Sequence, residues 1–193
     1  LEVDPVSQAA RIQGGVYGPH IEEQLRDTPF TMRHYMQAYR CSTLGGWIAT
    51  RSGGHYATLY THIDDFVEST RVVTPVGTLE TRRLPGSGGP DRLFIGSEGI
   101  LGIITEAWMR LRKKPNFRAA TSVRFKDFYA GADAVRGITQ AGLYPANCRL
   151  LEAREALPNI PWENEEAVLV PPFESADHPL HAWMDHPPEN RPD

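Results

Sequence analysis

One short stretch, FIGSEGILGIITEAWMRL at residues 94–111, restricts the possible folds of this chain more than any other. Its glycines fall three residues apart, at Gly96, Gly99 and Gly102. A turn between two strands needs only one or two glycines, and every further glycine costs conformational entropy on folding. The spacing therefore indicates that another group approaches the backbone here, beside the carboxylate of Glu98.

The residues directly behind these glycines predict a strand over 103–112. From residue 103 to residue 109 only Thr105 and Glu106 are polar, and so short an apolar run is typical of a strand. Simple alternation assigns to one face Ile103, Thr105, Ala107, Met109 and Leu111. It assigns to the other face Ile104, Glu106, Trp108, Arg110 and Arg112.

The whole chain mixes helical and strand patterns, so the predicted fold class is α+β. In the first part we predict strands at 1–4 and 10–14, helices beginning at Gly18 and at Ser42–Thr43, a loop over 51–65, and a hairpin of 66–74 with 78–82. In the second part we predict a strand in TSVRFKDF, helices at 128–141 and 147–157, and a strand at 166–173. The expected domains are 1–115 and 116–175, followed by an irregular tail, 176–193.

The bulk properties exclude some classes of function. A net charge of -4 over 193 residues implies no broad basic surface, so no nucleic-acid partner is expected. No apolar run approaches the roughly 18 residues of a membrane span, and no signal-peptide pattern is present, although Leu1 is not a natural start. Cys41 and Cys148 lack metal-binding spacing, so we expect no metal and, by default, a cytoplasmic protein.

Several common catalytic motifs are missing. The chain contains no GxxxxGK[ST], GxGxxG, HExxH or GxSxG pattern. Its nearest approach to a nucleotide loop, GSGG at 86–89, is followed by Pro90 and Asp91 and is expected to be a linker. The histidines at 178, 181 and 186 lie in the Pro-rich tail, where a metal site would lack a rigid second shell.

Three segments remain, and together they resemble a known family. In chain order they are STLGGWIATRSGG, IDDFVESTRVVTPVGTLE and RLFIGSEGILGIITEAWMRLRKKP. They resemble the vanillyl-alcohol-oxidase-type (PCMH-type) FAD-binding superfamily, and within it the alkyldihydroxyacetonephosphate synthase branch and its bacterial FAD-linked relatives. The resemblance implies a fold: the second subdomain of the FAD-binding domain, followed by the start of an α+β cap domain that faces the substrate.

The resemblance also implies a cofactor, FAD, and the residues that contact it. These are Ser42, Thr43, Thr50, Arg51, Ser52, Gly53, Glu98, Gly99, Ile100, Leu101, Gly102, Ile103 and Ile104. Gly99 and Gly102 would permit close approach of the cofactor. Arg149 matches an arginine that faces the substrate, and the alternative is a surface ion pair of Arg149 with Glu152 or Glu155.

This chain departs from the family pattern in residues 37–40, so cofactor contacts expected there are in doubt. The family's upstream Gly-rich pyrophosphate loop and its downstream tyrosine and histidine cluster lie outside the chain, which suggests a partial chain. We therefore expect residues 1–193 to be inactive by themselves.

The implied activity is exchange of an acyl group for a fatty alcohol in ether-lipid synthesis, with no net redox change. One alternative is an FAD-linked oxidoreductase of a 2-hydroxy acid or alcohol, and another is a non-catalytic module. The expected partner is a small-molecule or lipid substrate. Peripheral membrane contact and a homodimer are further expectations.

Overall fold

The computed structural model describes residues 1–83, 92–152, 155 and 166–180. It divides the chain into two compact units, Leu1–Lys114 and Pro115–Asp193. The functional assignments of 1–115, 116–175 and 176–193 stay predictions. Mixed helices and strands agree with the predicted α+β class.

The first unit contains most of the described elements. Its strands are β1 (Glu2–Asp4), β2 (Ala9–Gln13), β3 (Phe30–Thr31), β4 (Val67–Thr74), β5 (Gly77–Glu80), β6 (Ile103–Arg110) and β7 (Arg112–Lys113). Its helices are α1 (Gly18–Gln24), α2 (Leu44–Ala49), α3 (Ala57–Tyr60) and α4 (Ile63–Phe66). Two of these correct the prediction of a plain loop over 51–65, because α3 and α4 bury Tyr60, Ile63 and Phe66.

A five-stranded antiparallel sheet, in the order β1-β2-β6-β4-β5, is the centre of this unit. Helix α2 packs on β2 and β6 and buries Leu44, Trp47 and Ile48 against them. The strand predicted behind the three glycines is confirmed as β6, and it pairs with both β2 and β4. The sheet thus fixes residues 94–102 close to the end of α2.

Two β-bulges interrupt the pairing of β4 with β6. One falls between Val67 and Ser69, where β4 carries Glu68 as an extra residue. The other falls where Arg71 pairs with Glu106 while Val72 pairs with Ile104. The simple alternation predicted for 103–112 is therefore wrong at its start. The extra residue, Thr105, puts Ile104 rather than Ile103 on the buried face.

The end of the first unit is tied to the end of α1. The ammonium of Lys114 donates hydrogen bonds to the carbonyls of Leu25 at 2.9 Å, Arg26 at 2.6 Å and Thr28 at 2.6 Å. These carbonyls follow the helix, where backbone acceptors lack partners within the helix and a cation complements the helix dipole. Strand β3 pairs with β7 and closes the same region.

The second unit contains β8 (Phe117–Ala119), β9 (Val123–Phe125), α5 (Phe128–Gln140), β10 (Arg149–Glu152), β11 (Ala167–Val170) and β12 (Phe173–Ser175). Its described sheets have the orders β10-β11-β9 and β12-β8. Helix α5 confirms the helix predicted at 128–141: Asp127 caps it by accepting from the Ala130 N–H at 2.7 Å, and Gly142 follows with φ +68°.

The helix predicted at 147–157 is wrong over Arg149–Glu152, which pairs with β11 as an antiparallel strand. Residues 153, 154, 156 and 157 of that prediction lie outside the described residues. The strand predicted at 166–173 is divided into β11 and β12 by Pro171 and Pro172. The GSGG segment and the histidines at 181 and 186 also fall outside the described residues.

Among the described residues, no helix has the length and apolar character needed to cross a bilayer.

Candidate cofactor site

The two main segments expected at the cofactor meet at the C-terminal end of α2. The Gly96 N–H donates to the carbonyl of Ile48 and the Glu98 N–H to the carbonyl of Ala49, each at 2.9 Å. These carbonyls belong to the last turn of the helix, where acceptors have no partner within the helix. The structure therefore brings Glu98 and the residues after it beside the turn that follows α2.

That turn, residues 50–53, has the hydrogen bonds of a Schellman motif. The Arg51 N–H donates to the Ile48 carbonyl at 3.3 Å and the Ser52 N–H to the Trp47 carbonyl at 3.0 Å. Arg51 has φ +51°, in the left-handed region where glycine is the usual residue. Thr50 is exposed, and its hydroxyl donates back to the Gly46 carbonyl at 2.9 Å.

The glycines of the opening stretch have different surroundings. A Cβ on Gly99, where φ is +80°, would have no heavy atom within 4 Å. A Cβ on Gly102, where φ is +153°, would lie 2.5 Å from the carbonyl oxygen of Val73. Gly99 therefore leaves space toward solvent, whereas Gly102 is required by the close packing of its own backbone on β4.

The surface beside Gly99 combines exposed backbone with exposed apolar side chains. Glu98 has φ +53°, so two consecutive residues, Glu98 and Gly99, adopt left-handed conformations. Ile100 is 84% exposed and Ile103 is 71% exposed, whereas Ile104 is buried and its carbonyl oxygen faces Gly14 and Gly45. Leu101 is half-buried between them. Backbone groups beside apolar side chains suit a planar ligand with a polar edge.

The start of α2 is packed against the sheet by backbone contacts. The Gly45 N–H donates to the Gly14 carbonyl at 2.8 Å. A Cβ on Gly45 would lie 3.1 Å from the carbonyl oxygens of both Gly14 and Ile104. The group that approaches Gly45 is thus the backbone of β6 and of the residue after β2.

Ser42 and Thr43 precede α2, and their contact with FAD stays a prediction. Thr43 is the N-cap residue, and no side-chain hydrogen bond caps the helix. The Ser42 hydroxyl donates instead to the Ala38 carbonyl and accepts from Trp47 Nε1, both at 2.7 Å. Ser42 thus links residues 36–41 to the buried face of α2.

A buried histidine that we did not expect from the sequence lies behind this turn. His34 is 2% exposed, its Nε2 is 2.9 Å from Ser52 Oγ, and its ring packs against Trp47 and Phe66. Burial, together with the charge of His62, lowers the pKa of His34 to about 4. The ring is therefore neutral near pH 7, and it holds the Ser52 hydroxyl by one hydrogen bond.

Among residues 37–40, which depart from the family pattern, Tyr39 contributes to an aromatic cluster. Tyr35 lies between Tyr39 and Tyr56, with ring centroids 4.8 and 5.9 Å away, and Arg33 lies 4.0 Å over the Tyr56 ring. Burial raises the pKa of Tyr39, whose hydroxyl donates to the Gly18 carbonyl at 2.7 Å. The sequence feature that could have predicted this cluster is the high density of tyrosines between residues 35 and 60.

Arg149, the candidate for substrate contact, lies on β10 of the second unit. Its side chain is 51% exposed, and its Nη2 is 3.3 Å from a carboxylate oxygen of Glu155. Of the two ion pairs considered as alternatives for Arg149, the structure contains the one with Glu155. Among the described residues, no cluster of potential metal ligands occurs.

The residues present fit an FAD at this position. The turn after α2 and the Glu98–Ile104 segment form one surface of backbone groups, and the open space beside Gly99 would be filled by any larger residue. Comparison with known families agrees. Residues 1–82 match the family described as FAD binding domain. The first unit is therefore part of an FAD-binding domain, and FAD is its cofactor.

Within that class, the chain is similar to alkyldihydroxyacetonephosphate synthases. It is 37% identical to the enzyme of Trypanosoma brucei brucei over 79% of this chain and 25% of the relative. For Dictyostelium discoideum the identity is 36%, over 91% of this chain and 29% of the relative. The glycolate oxidase subunit GlcD of Bacillus subtilis is 30% identical, over 79% of this chain and 33% of its own length.

A solved structure of alkyldihydroxyacetonephosphate synthase also matches this fold. The TM-score is 0.85 at 30% sequence identity, over 96% of this chain and 38% of that structure. The predicted superfamily, fold class and cofactor are thus confirmed. The chain spans only 25% and 29% of the length of these two synthase sequences.

Proposed function

We propose that this chain is part of an FAD-dependent enzyme that exchanges the acyl group of an acyl-dihydroxyacetone phosphate for a fatty alcohol. The observation that carries the proposal is the structural match to alkyldihydroxyacetonephosphate synthase, because it extends over 96% of the chain. A match to the FAD-binding family alone would fit many chemistries, since function is determined by sites rather than folds.

The residues of this chain contribute binding and orientation. Backbone groups of Glu98–Ile104 and of the turn at 50–53 would hold FAD, and bound FAD would supply an electrophilic ring system. His34 and Ser52 form a neutral hydrogen-bonded pair under that turn. Since the unprotonated nitrogen of a neutral imidazole can accept a hydrogen bond from a hydroxyl, His34 can orient the Ser52 hydroxyl without adding charge to the site.

Arg149 remains the candidate for contact with the phosphate of the substrate. Its guanidinium is half exposed, and its partner Glu155 is 63% exposed, so an anionic ligand could displace the carboxylate at little cost. A planar guanidinium binds phosphate through two parallel hydrogen bonds, a geometry that lysine cannot provide.

An FAD-linked oxidoreductase acting on a 2-hydroxy acid or alcohol is the second candidate. The similarity to a glycolate oxidase subunit favours it, because that relative matches 79% of this chain. A non-catalytic module is the third candidate, and it predicts a full-length protein that binds no flavin and has neither activity.

One pair of assays separates these candidates, on the protein at its full encoded length. With FAD, an acyl-dihydroxyacetone phosphate and a labelled fatty alcohol, a synthase forms labelled ether product without consuming an electron acceptor. Steady reduction of an artificial acceptor by a 2-hydroxy acid, without ether product, would refute the synthase proposal and support the oxidoreductase.

Arg149→Lys should raise the KM for the phosphate-bearing substrate. The control, Arg136→Lys on α5, should leave this KM unchanged.

We further propose a lipid substrate, peripheral contact with membranes, a homodimer and a cytoplasmic location. The lipid substrate and the membrane contact are supported by the chemistry of the proposed reaction, because a fatty alcohol partitions into lipid and the enzyme must collect it there. Co-sedimentation with neutral phosphatidylcholine vesicles containing hexadecanol tests the membrane contact, with alcohol-free vesicles as the comparison. Sedimentation velocity tests the dimer, and fractionation of the source cells tests the location.

A further inference from the structure

Arg51 occupies a backbone position that favours glycine. With φ +51° it follows the C-cap of α2, and a non-glycine residue in this conformation costs about 1 kcal/mol. Glycine at 51 would remove this strain and keep both hydrogen bonds of the turn, which use only backbone atoms. The Arg51 side chain must therefore contribute something that offsets the strain.

The side chain of Arg51 runs directly over Gly96. A Cβ built on Gly96 would lie 2.7 Å from Nε of Arg51 and 2.8 Å from its Cδ and Cγ. Three consecutive atoms of the arginine thus pack on the backbone of Gly96. The first glycine of the opening stretch is needed for this contact in addition to its own φ of +76°.

Asp64 pairs with Arg51 Nε, the same atom that packs over Gly96. Its Oδ2 is 3.4 Å from Arg51 Nε, and the Asp64 carboxylate is 27% exposed against 60% for the Arg51 side chain. Asp64 is itself fixed, because Arg92 donates a hydrogen bond to its carbonyl oxygen. The Ile63 N–H also donates to the Ser52 carbonyl at 3.3 Å, which joins the start of α4 to the turn.

We propose that Arg51, Gly96 and Asp64 form a clip that fixes the Glu98–Gly102 segment in its FAD-binding conformation. In this clip Arg51 is a positioning residue: it acts through Gly96, and Asp64 keeps it in place. Two residues after Gly96, the chain enters the left-handed pair at Glu98 and Gly99, so a shift of Gly96 would move the exposed backbone that faces the cofactor. The inference rests on FAD binding by these segments.

The clip predicts that stability and FAD affinity respond in opposite directions to Arg51→Gly. The melting temperature of the FAD-free protein should stay or rise, because the backbone strain is removed. The FAD dissociation constant from isothermal titration calorimetry should rise about tenfold, as expected if about one molecule in ten keeps the competent conformation. Asp64→Asn should weaken FAD binding in the same direction, whereas the control Asp65→Asn, on the same short helix, should leave it unchanged.

A double variant distinguishes the effect of the contact between Arg51 and Gly96 from the effect of backbone strain at residue 96. Gly96→Ala should weaken FAD binding because its methyl group displaces the Arg51 side chain. In the Arg51→Gly background the same substitution should cause little further loss, since the side chain it would displace is gone. The left-handed strain at residue 96 is present in both backgrounds and cancels in the comparison.

Three results would contradict the proposed clip. If wild-type protein shows no saturable FAD binding, both the cofactor site and the clip are wrong. If wild-type binds FAD and Arg51→Gly binds it equally well, only the clip is wrong. A parallel fall of melting temperature and FAD affinity in Arg51→Gly would assign the side chain a purely structural role.

Discussion

The two β-bulges of the β4–β6 pair each contain one extra residue, but they have opposite effects on the side chains beside them. At the bulge in β4, Glu68 becomes 2% exposed and pairs with Arg83 at 2.9 Å and with Arg110 at 4.0 Å. At the bulge in β6, Ile103 turns outward and is 71% exposed. One extra residue thus buries a charge at one end of the sheet and exposes an apolar side chain at the other.

The difference separates a structural region from a binding region within a single pair of strands. The charge at Glu68 is compensated: Arg83 Nε and Nη2 both donate to it, and the same guanidinium stacks 4.0 Å over the ring of Trp108. The exposed Ile103 lies next to the left-handed segment that is predicted to face FAD. Substitutions at the first bulge should therefore change stability alone, and substitutions near the second should change cofactor binding.

The largest effect is expected at the buried carboxylate. Glu68→Ala removes the buried carboxylate that Arg83 and Arg110 share and leaves Arg83, among the described residues, only its pairing with Asp4 and Ser7. The substitution should lower the free energy of unfolding by about 3 kcal/mol, measured by urea denaturation. The control Glu23→Ala breaks an exposed pair with Arg26 and should cost at most about 0.5 kcal/mol. If Glu68→Ala retained stability but lost FAD, the separation of the two ends would be wrong.

Substitutions of two glycines near the bulge in β6 test the same distinction between structure and binding. Gly102→Ala places a methyl group against the carbonyl of Val73 and should destabilise the fold by about 2–3 kcal/mol. Gly99→Ala meets no neighbouring atom and should cost about 1 kcal/mol for its left-handed backbone. Gly99→Val should lose FAD, seen as loss of flavin absorbance after gel filtration, while its melting curve stays cooperative. Equal loss of fold in both alanine variants would contradict this distinction.

Acid should weaken the region behind the cofactor turn. Since the folded-state pKa of His34 is about 4 and its ordinary value is 6.5, the unfolded chain binds more protons at this residue between those pH values. The contribution of neutral His34 is therefore complete above pH 6.5 and is lost as the pH falls. Between pH 7 and pH 5 the loss should reach about 2 kcal/mol. Urea titrations of His34→Gln should show a correspondingly smaller pH dependence.

The smallest expected effect is a gain in stability from a substitution of Thr70, in the middle of β4. Thr70 is 1% exposed, and its hydroxyl has no hydrogen-bond partner within the described structure. Thr70→Val replaces this hydroxyl by a methyl group of similar size, so the free energy of unfolding should rise by about 1 kcal/mol. Val72→Thr, the reverse change two residues along the buried face, should lower it. A stability loss in Thr70→Val would indicate a partner for the hydroxyl.

Local patterns predicted the elements better than their pairing. Helix α5 followed from its apolar period and its closing glycine, both of which are local signals. Strand β6 was also predicted, but its bulge was not, because one extra residue leaves the composition unchanged and is specified by the partner strand. The strand Arg149–Glu152 was mistaken for a helix because pairing with β11, distant in sequence, overrides its own propensity.

The sequence predicted a candidate site but not the surroundings of its residues. The spacing of the glycines indicated a segment that another group approaches, yet the surroundings of each glycine depend on residues such as Arg51 and Val73, which are remote in the chain. His34 was missed because its partner, Ser52, is 18 residues away and no motif joins them. The resemblance to a family supplied the cofactor, which composition and periodicity could not.

The stacking of Arg83 on Trp108 has a spectroscopic consequence. Trp108 lies at the structural end of the sheet and Trp47, hydrogen-bonded to Ser42, lies at the cofactor end. The intrinsic fluorescence of the first unit therefore has one emitter at each end. With the other tryptophans replaced by phenylalanine, Trp47 emission would follow events at the cofactor, whereas Trp108 emission would follow the buried ion pair.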